Sequence, residues 1–236
     1  MAKIQEWQYD EFKHCGVDFS NPAEVESYEK THQHMRDFKQ ETQDMIDMIG
    51  IRDKDTVIDF GCGTGAFTLN AAENCRKIYA VDVSKAMLGF CKKKCRKANI
   101  PNVEFCRAGF LTYEHKAKPV DVIVTKLALH HLPDFWKLVA LKRMAAMLKK
   151  GGKLYISDIV YSFKINEFKK AVQRWIKATA DKGNLDFKRR IEIHIGQEFS
   201  TMDWIMEGLL KQAGFKILKA EYKQGFFATY LCRKQK

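Results

Sequence analysis

The residues best suited to chemistry form a glycine-rich turn that runs from Asp59 to Ala66 with the sequence DFGCGTGA. An apolar run at 57–58 leads into the turn, and a helix-length segment follows it. Glycines at such a turn let the backbone approach a ligand closely and direct amide groups at it. The turn therefore predicts a ligand-binding site between a buried strand and a helix; a turn that only reverses the chain is the alternative.

A second acid, Asp82, follows the next apolar run, seventeen residues after Gly65. In a doubly wound sheet this position places a carboxylate beside the same crevice, where it can accept hydrogen bonds from both hydroxyls of a ribose. Gly61, Gly63 and Ala66 also match the G-x-G-x-x-G/A pattern of dinucleotide-binding proteins. From the residues alone, both a dinucleotide and another adenosine-containing cofactor fit this site.

The segments around the turn alternate between strand-like and helix-length stretches. Short apolar runs lie at 57–60, 77–81, 103–106, 120–124 and 153–157, and helix-length stretches lie near 65–74, 84–98 and 133–149. This alternation predicts an α/β domain with a parallel sheet covered on both faces. Two further runs, at 215–222 and 226–232, flank Gly225 and predict a terminal hairpin whose last strand is antiparallel to its partner.

Two largely helical regions are predicted outside this alternation. Residues 1–50 form a predicted N-terminal helical cap, in which Asn21 and Pro22 start a helix and Gly50 ends one. Residues 51–236 form the main domain, and its basic stretch at about 159–199 shows no strand pattern and is predicted to be an inserted lid. The Ser200–Asp203 tetrapeptide has the residue types of a capping box for the helix after the lid.

Composition limits the classes of protein to consider. The chain has 236 residues, of which 46% are hydrophobic, so one folded domain fits better than a disordered chain. Its 41 Lys and Arg exceed its 29 Asp and Glu, and the resulting charge of +12 favours anionic partners. No apolar run is long enough to predict a membrane span. Seven cysteines without a CxxC pair indicate free thiols and a cytoplasmic location.

Five segments, taken in order, resemble the motifs of one enzyme family. They read VIDFGCGTG, YAVDVSKAML, VDVIVTKLALHHLPD, LKKGGKLYISD and LLKQAGFKI. Over roughly residues 45–235 the chain thus resembles the class I S-adenosylmethionine-dependent methyltransferases. The resemblance implies a Rossmann-like fold, with a seven-stranded, mostly parallel sheet, one antiparallel strand and helices on both faces. It also implies S-adenosylmethionine as the cofactor, S-adenosylhomocysteine as its product, and methyl transfer as the reaction.

The resemblance also implies which residues bind the cofactor. The turn from Gly61 to Gly65 would pass under it, Asp59 would lie near its amino-acid part, and Asp82 would hold its ribose. Where the family often has an acid facing adenine, this chain has Gly109, so backbone groups there would line the ring. The complete set is Tyr28, Asp59, Gly61, Cys62, Gly63, Gly65, Asp82, Val83, Met87, Gly109, Phe110 and Lys126.

The stretch TKLALHHLP, residues 125–133, indicates the acceptor class. It looks like the small-molecule branch of the family and lacks the Asn/Asp-Pro-Pro-aromatic stretch common in enzymes that methylate nucleic-acid bases. His131 is a candidate general base, because imidazole accepts a proton near neutral pH; a histidine that only packs in the turn is the alternative. Candidate contacts for an anionic acceptor are His32, His34 and Arg36. Further residues that could face an acceptor are Trp175, Lys188, Arg189, Arg190 and His194.

Other functions stay open at this point. An RNA or protein methyltransferase would suit the charge of +12, a non-catalytic protein could bind S-adenosylmethionine, and a dinucleotide enzyme would suit the glycines. The basic run at 91–97 lacks the interleaved aromatic residues that stack on bases, which disfavours nucleic acid. No metal site is predicted, because zinc-site spacing is absent from the candidate ligand pairs His14/Cys15, His32/His34 and Cys91/Cys95.

Overall fold

A mixed β-sheet organises the chain in the computed structural model, which describes residues 5–13, 15–33, 37–180 and 185–235. Its strands are β1 (Thr56–Phe60), β2 (Lys77–Asp82), β3 (Val103–Arg107), β4 (Val120–Lys126), β5 (Leu148–Tyr161), β6 (Thr201–Met202), β7 (Phe215–Lys223) and β8 (Phe227–Lys234). The order is β3-β2-β1-β4-β5-β8-β7, and the short β6 also pairs with β5. The pairs among β1 to β5 are parallel, whereas β8 is antiparallel to both of its neighbours. The predicted mostly parallel sheet with one reversed strand is confirmed.

Helices cover both faces of this sheet. In the described residues they are α1 (Pro22–Gln33), α2 (Phe38–Ile49), α3 (Ala66–Ala72), α4 (Lys85–Lys97), α5 (Asp134–Met147), α6 (Phe168–Ala180), α7 (Leu185–Gln197) and α8 (Asp203–Gln212). Along β1, Ile58 clusters with residues of α5 and α8, and Val57 clusters with residues of α2 and α3. This two-sided burial explains the continuous apolar runs in the sequence. None of the described helices is both long enough and apolar enough to cross a membrane.

Local sequence explains where the first two helices begin and end. The Asn21 side chain accepts a hydrogen bond from the amide of Ala23 at the start of α1, at 2.9 Å. The Asp37 carboxylate accepts one from the amide of Gln40 at the start of α2, at 3.0 Å. Gly50 follows α2 with a left-handed φ of 68°, a conformation that ends helices. The predicted helix start at Asn21 and helix end at Gly50 are confirmed.

Two predicted boundaries differ in the structure. β5 continues into the first residues of the segment predicted as an insertion, so α6 and α7 occupy only the remainder. The capping box predicted at 200–203 is wrong, because Thr201 and Met202 pair with β5 and no side chain caps α8. The Thr201 hydroxyl donates to Asp134 Oδ2 instead, at 3.0 Å. Pairing with a neighbouring strand thus outweighs a local capping preference.

The described residues before α1, 5–13 and 15–20, form an N-terminal segment that folds over the carboxyl edge of the parallel strands. The Ser84 hydroxyl, just beyond β2, donates to the carbonyl of Phe19 at 2.6 Å. The Tyr9 hydroxyl donates to the carbonyl of His131, in the loop after β4, at 3.1 Å. Together with residues of α6 and α7, this N-terminal segment walls a cavity at the sheet edge where a doubly wound fold binds its ligands.

Candidate functional site

The glycine-rich turn joins β1 to α3 in a conformation that favours glycine. Gly61, Gly63 and Gly65 have φ angles of 68°, 53° and 84°, all in the left-handed region. A Cβ atom on Gly61 would lie 2.4 Å from the Cβ of Ala128, and one on Gly65 would lie 2.3 Å from the Sγ of Cys91. The absence of side chains therefore allows the turn to pack between α4 and the loop after β4.

Asp82 ends β2 and holds this turn in place. Its Oδ2 accepts a hydrogen bond from the amide of Gly63 at 2.9 Å, and its Oδ1 accepts one from the amide of Ser84 at 2.8 Å. Burial raises the pKa of this carboxyl group above its ordinary value. Because each carboxylate oxygen can accept two hydrogen bonds, both oxygens can also receive a ligand hydroxyl.

Asp59 lies under the turn as a second buried carboxyl group. The Thr68 hydroxyl donates to its Oδ2 at 2.6 Å. Burial raises the pKa of Asp59 to about 7; the bond from Thr68 opposes this rise, and the negative charge of Asp82 adds to it. Lys126, whose charge also favours the carboxylate, pairs with Glu41 at 2.8 Å. A cationic ligand bound beside Asp59 would lower its raised pKa toward the ordinary value.

A single cavity of about 930 Å³ connects the turn with the loop after β4. Most of the predicted site residues line it, namely Tyr28, Asp59, Gly61, Cys62, Gly63, Asp82, Val83, Met87, Gly109, Phe110, Lys126 and His131. Gly65 is the exception, because it faces Cys91 of α4 rather than the cavity. The structure thus brings together residues that the sequence separates by about a hundred positions.

The predicted acceptor contacts divide into three groups. Those that line the cavity are Trp175, Arg190 and His194. Lys188 and Arg189 do not line it, since Lys188 pairs with Glu192 at 3.8 Å and Arg189 is exposed. The remaining ones lie outside the described residues, namely the side chain of His32 and the whole of His34 and Arg36.

Histidines and acids form a hydrogen-bonded cluster at the loop after β4. His130 Nδ1 pairs closely with Asp158 Oδ1, and His130 Nε2 lies 3.2 Å from Glu198 Oε2. His194 Nδ1 pairs closely with the same oxygen of Glu198. Burial alone would lower the pKa of His130, but the two carboxylates outweigh it and raise this pKa to about 9. The same pairs lower the pKa values of Asp158 and Glu198.

His131 adjoins this cluster but has a different charge state. Its Nδ1 lies 3.7 Å from the Sγ of Cys15, and its ring centroid lies 4.4 Å from that of His130. Burial lowers the pKa of His131 to about 4, and the positive charge of His130 adds to this effect. His131 is therefore a neutral imidazole at pH 7 and a weak proton acceptor, with a lone pair that can still bind a ligand.

Comparison with known proteins identifies the family. Residues 51–219, most of the chain, match a family model described as a methyltransferase domain. The chain belongs to the class I S-adenosylmethionine-dependent methyltransferases. S-adenosylmethionine is accordingly its methyl donor, and the expected fold, enzyme class and cofactor are confirmed.

Individual relatives agree with this assignment. An uncharacterized methyltransferase of Geobacillus sp. (strain WCH70) is 27% identical over 193 residues, which cover 82% of this chain and 83% of the relative. An S-adenosylmethionine-dependent methyltransferase from Clostridium acetobutylicum matches with a TM-score of 0.67 and 14% identity, over 91% of this chain and 98% of that one. Magnesium protoporphyrin IX methyltransferase from Synechocystis, solved with bound S-adenosylmethionine, matches with a TM-score of 0.59 and 13% identity, over 95% and 88%. These two structures share the fold.

In this methyltransferase a carboxylate from the N-terminal segment lies beside Gly109, where the family often has its own acid. A Cβ atom on Gly109 would lie 2.3 Å from the carboxylate of Glu11. The Leu111 amide donates to Glu11 at 3.0 Å, and the Thr112 hydroxyl donates to it at 2.7 Å. Glu11 therefore anchors the loop after β3 and fills the space that a side chain at position 109 would take.

The sequence analysis of this methyltransferase did not single out Glu11 and Glu198, which line the cavity, or Asp158, which pairs with His130 behind it. Asp158 lies within β5 near the carboxyl edge of the sheet, the same kind of position that made Asp82 conspicuous. Glu11 and Glu198 carry no such signal, because each belongs to a segment without a motif and reaches the cavity only through tertiary packing.

Proposed function

We propose that this methyltransferase transfers the methyl group of S-adenosylmethionine to a small-molecule acceptor bound beside His130, His131 and Glu198. The observation that carries the proposal is the shared cavity, which is lined both by the glycine-rich turn and by these side chains. Its volume of about 930 Å³ lies in the range of small-molecule sites. The covering N-terminal segment favours acceptors that fit inside over long polymers.

The cofactor end of the cavity suits S-adenosylmethionine, which supplies an electrophilic methyl group on a sulfonium. Asp82 would accept hydrogen bonds from the ribose hydroxyls, and the carboxylate of Glu11 would face the adenine edge beside Gly109. Asp59 would lie near the cationic amino-acid part. The remaining contacts that we propose are the backbone of Gly61, Cys62 and Gly63 under the cofactor, Val83, Met87 and Phe110 at the adenine, and Tyr28 and Lys126 toward the methionine end.

The acceptor end supports positioning rather than strong base catalysis. The pKa of His131 near 4 makes this residue a weak base at neutral pH. We therefore propose that its neutral imidazole contacts the bound acceptor and does not take a proton from it. Holding the acceptor atom in line with the methyl group can lower the activation barrier by on the order of 7–11 kcal/mol. The lining carries more Asp and Glu than Lys and Arg, so the positive charge of the whole chain does not select an anionic acceptor.

Transfer of a tritiated methyl group tests the acceptor class directly. Labelled S-adenosylmethionine would be incubated with the enzyme and with three separate fractions of a cell extract: small molecules, RNA and protein. We expect label in the small-molecule fraction. Label confined to RNA or protein would contradict the proposal and favour the corresponding macromolecular methyltransferase.

An Asp82→Ala variant provides the matched control for this assay. Loss of the carboxylate removes both the proposed ribose contact and the acceptor for the Gly63 amide. We expect binding of S-adenosylhomocysteine and methyl transfer to fall together. A variant that binds S-adenosylhomocysteine as the natural enzyme does would contradict the assigned cofactor end. If the natural enzyme binds S-adenosylhomocysteine but transfers no label to any of the three fractions, the result would instead favour a non-catalytic binding protein.

A further inference from the structure

We propose that His130, His131 and Glu198 bind a divalent transition-metal ion, of the zinc or ferrous class, at the acceptor end of the cavity. One ligand atom from each of these residues lies within 4.8 Å of the others. All three residues line the cavity, so an ion held by them would keep a coordination position toward a bound acceptor. Metal binding stands on this geometry alone, whereas its use in catalysis rests on the proposed function.

The separation of two of these ligands suits chelation once a metal ion displaces the proton that joins them. His130 Nε2 and Glu198 Oε2 are 3.2 Å apart. Two ligand atoms bound to tetrahedral zinc at its usual bond lengths are roughly 3.4 Å apart. The His131 ring lies beside that of His130, with 4.4 Å between centroids, so a small side-chain adjustment brings in the third ligand.

Partners behind the candidate ligands orient them as metal ligands are usually oriented. The Asp158 carboxylate pairs with His130 Nδ1 and also accepts the amide of His130 at 3.1 Å, which leaves Nε2 directed at Glu198. Cys15 Sγ lies 3.7 Å from His131 Nδ1. Histidines that bind metals generally make such a bond through their other nitrogen, often to a carboxylate.

A glycine of the N-terminal segment fixes the position of the third ligand. Gly16 has a left-handed φ of 78°, and a Cβ atom on it would lie 1.9 Å from Glu198 Oε1. The backbone of this segment therefore packs directly on the carboxylate and prevents it from turning away from His130. A site held from both sides in this way is preorganised for an ion.

The chemistry of the donors selects the class of metal. Two imidazoles and one carboxylate make up the His₂Glu set of catalytic zinc sites and the facial triad of ferrous enzymes. Magnesium and calcium prefer sites made of oxygen atoms. With only three protein ligands, an ion of this class keeps room for an exogenous fourth.

Such an ion would activate a hydroxyl or thiol acceptor. Coordination lowers the pKa of the bound group, and its proton leaves to solvent. The lone pair of the deprotonated oxygen or sulfur forms the new bond to the methyl carbon. The carbon–sulfur bond of the donor breaks with its electron pair on sulfur, which yields S-adenosylhomocysteine and needs no oxidant or reductant.

Metal content and zinc titration of the full chain test the site. The enzyme would be stripped with a chelator and titrated with Zn²⁺ by calorimetry, with the bound metal counted by mass spectrometry. We expect one tightly bound ion per chain. We expect that ion to be lost in His131→Ala and in Glu198→Gln, and Asp158→Asn to weaken binding by about 10- to 100-fold. His115→Ala, which removes a histidine outside the cavity, serves as the control that keeps the ion.

Two results would overturn this proposal. Failure of the natural enzyme to bind Zn²⁺ would mean that the cluster is only a hydrogen-bonded network. Full binding by both ligand variants would place the ion elsewhere, on the cysteines for example. The thermal shift caused by S-adenosylhomocysteine, measured on every variant, checks folding. It also separates the two proposals, because a natural enzyme that shows this shift but binds no Zn²⁺ contradicts only the metal site.

Discussion

At the scale of single residues, the charge state of Asp59 has a measurable consequence for stability. Its pKa rises on folding from an ordinary value of 3.8 to about 7, because the carboxyl group is buried. The protonated form is thus favoured by folding. The contribution to stability is fully present below about pH 4 and is lost as the pH rises through 7.

We therefore predict that Asp59→Asn removes part of the pH dependence of unfolding. Both proteins would be compared without ligand. The difference in the free energy of unfolding, natural enzyme minus variant, should fall by on the order of 4 kcal/mol between pH 4 and pH 8. The neutral amide can still accept the bond from Thr68 and does not titrate. Urea unfolding of both proteins across this range measures the difference. Parallel curves for the two proteins would show that Asp59 ionises normally.

At the scale of elements, two glycines in the turn between β1 and α3 allow the cost of backbone strain to be measured separately from the cost of steric overlap. Gly63 and Gly65 both have left-handed φ angles. A Cβ on Gly65 would overlap Cys91 Sγ at 2.3 Å, whereas a Cβ on Gly63 would meet no atom within 4 Å. The two positions form a matched pair for substitution by alanine.

We predict that Gly65→Ala destabilises the protein by about 3 kcal/mol or more, from strain and overlap together. Gly63→Ala should cost about 1 to 2 kcal/mol, from strain alone. It should still impair binding of S-adenosylhomocysteine, because Gly63 lines the cavity and Gly65 does not. Denaturant unfolding and calorimetry provide both readouts. Equal losses of stability would contradict the packing described for α4.

The side chain of Glu11 ties the N-terminal segment to the loop after β3. Glu11→Ala would leave the Leu111 amide and the Thr112 hydroxyl without this acceptor, at a cost of about 1 to 3 kcal/mol. We predict that affinity for S-adenosylhomocysteine falls by about tenfold, measured by calorimetry. Glu6→Ala, at an exposed acid of the same segment, is the control. An unchanged affinity in Glu11→Ala would remove Glu11 from the cofactor site.

At the scale of the whole molecule, the charge of +12 predicts non-specific attraction to RNA. Lys92 and Lys93 on the exposed face of α4 contribute to that field, outside the cavity. We predict that retention of RNA in a filter-binding assay falls by at least about tenfold between low and physiological salt, because such binding depends on released counterions. Retention that survives physiological salt would favour an RNA acceptor.

The sequence predicts the sheet well and the acceptor end of the site poorly. Alternating apolar runs report burial on both faces of a parallel sheet, so the strands, their helices and Asp82 follow from local pattern. The pairing of His130 with two carboxylates does not, because Asp158 and Glu198 lie 28 and 68 residues away. Glu11 likewise meets Leu111 across 100 positions. Tertiary packing creates these contacts, and no periodicity records them.

The N-terminal segment also ties together the two loops that border the cavity. Tyr9 fastens it to the carbonyl of His131 at the acceptor end, and Glu11, two residues later, fastens it to the loop beside Gly109 at the cofactor end. Because one short stretch of chain makes both attachments, we expect a substitution that loosens either of them to disturb the binding of donor and acceptor together.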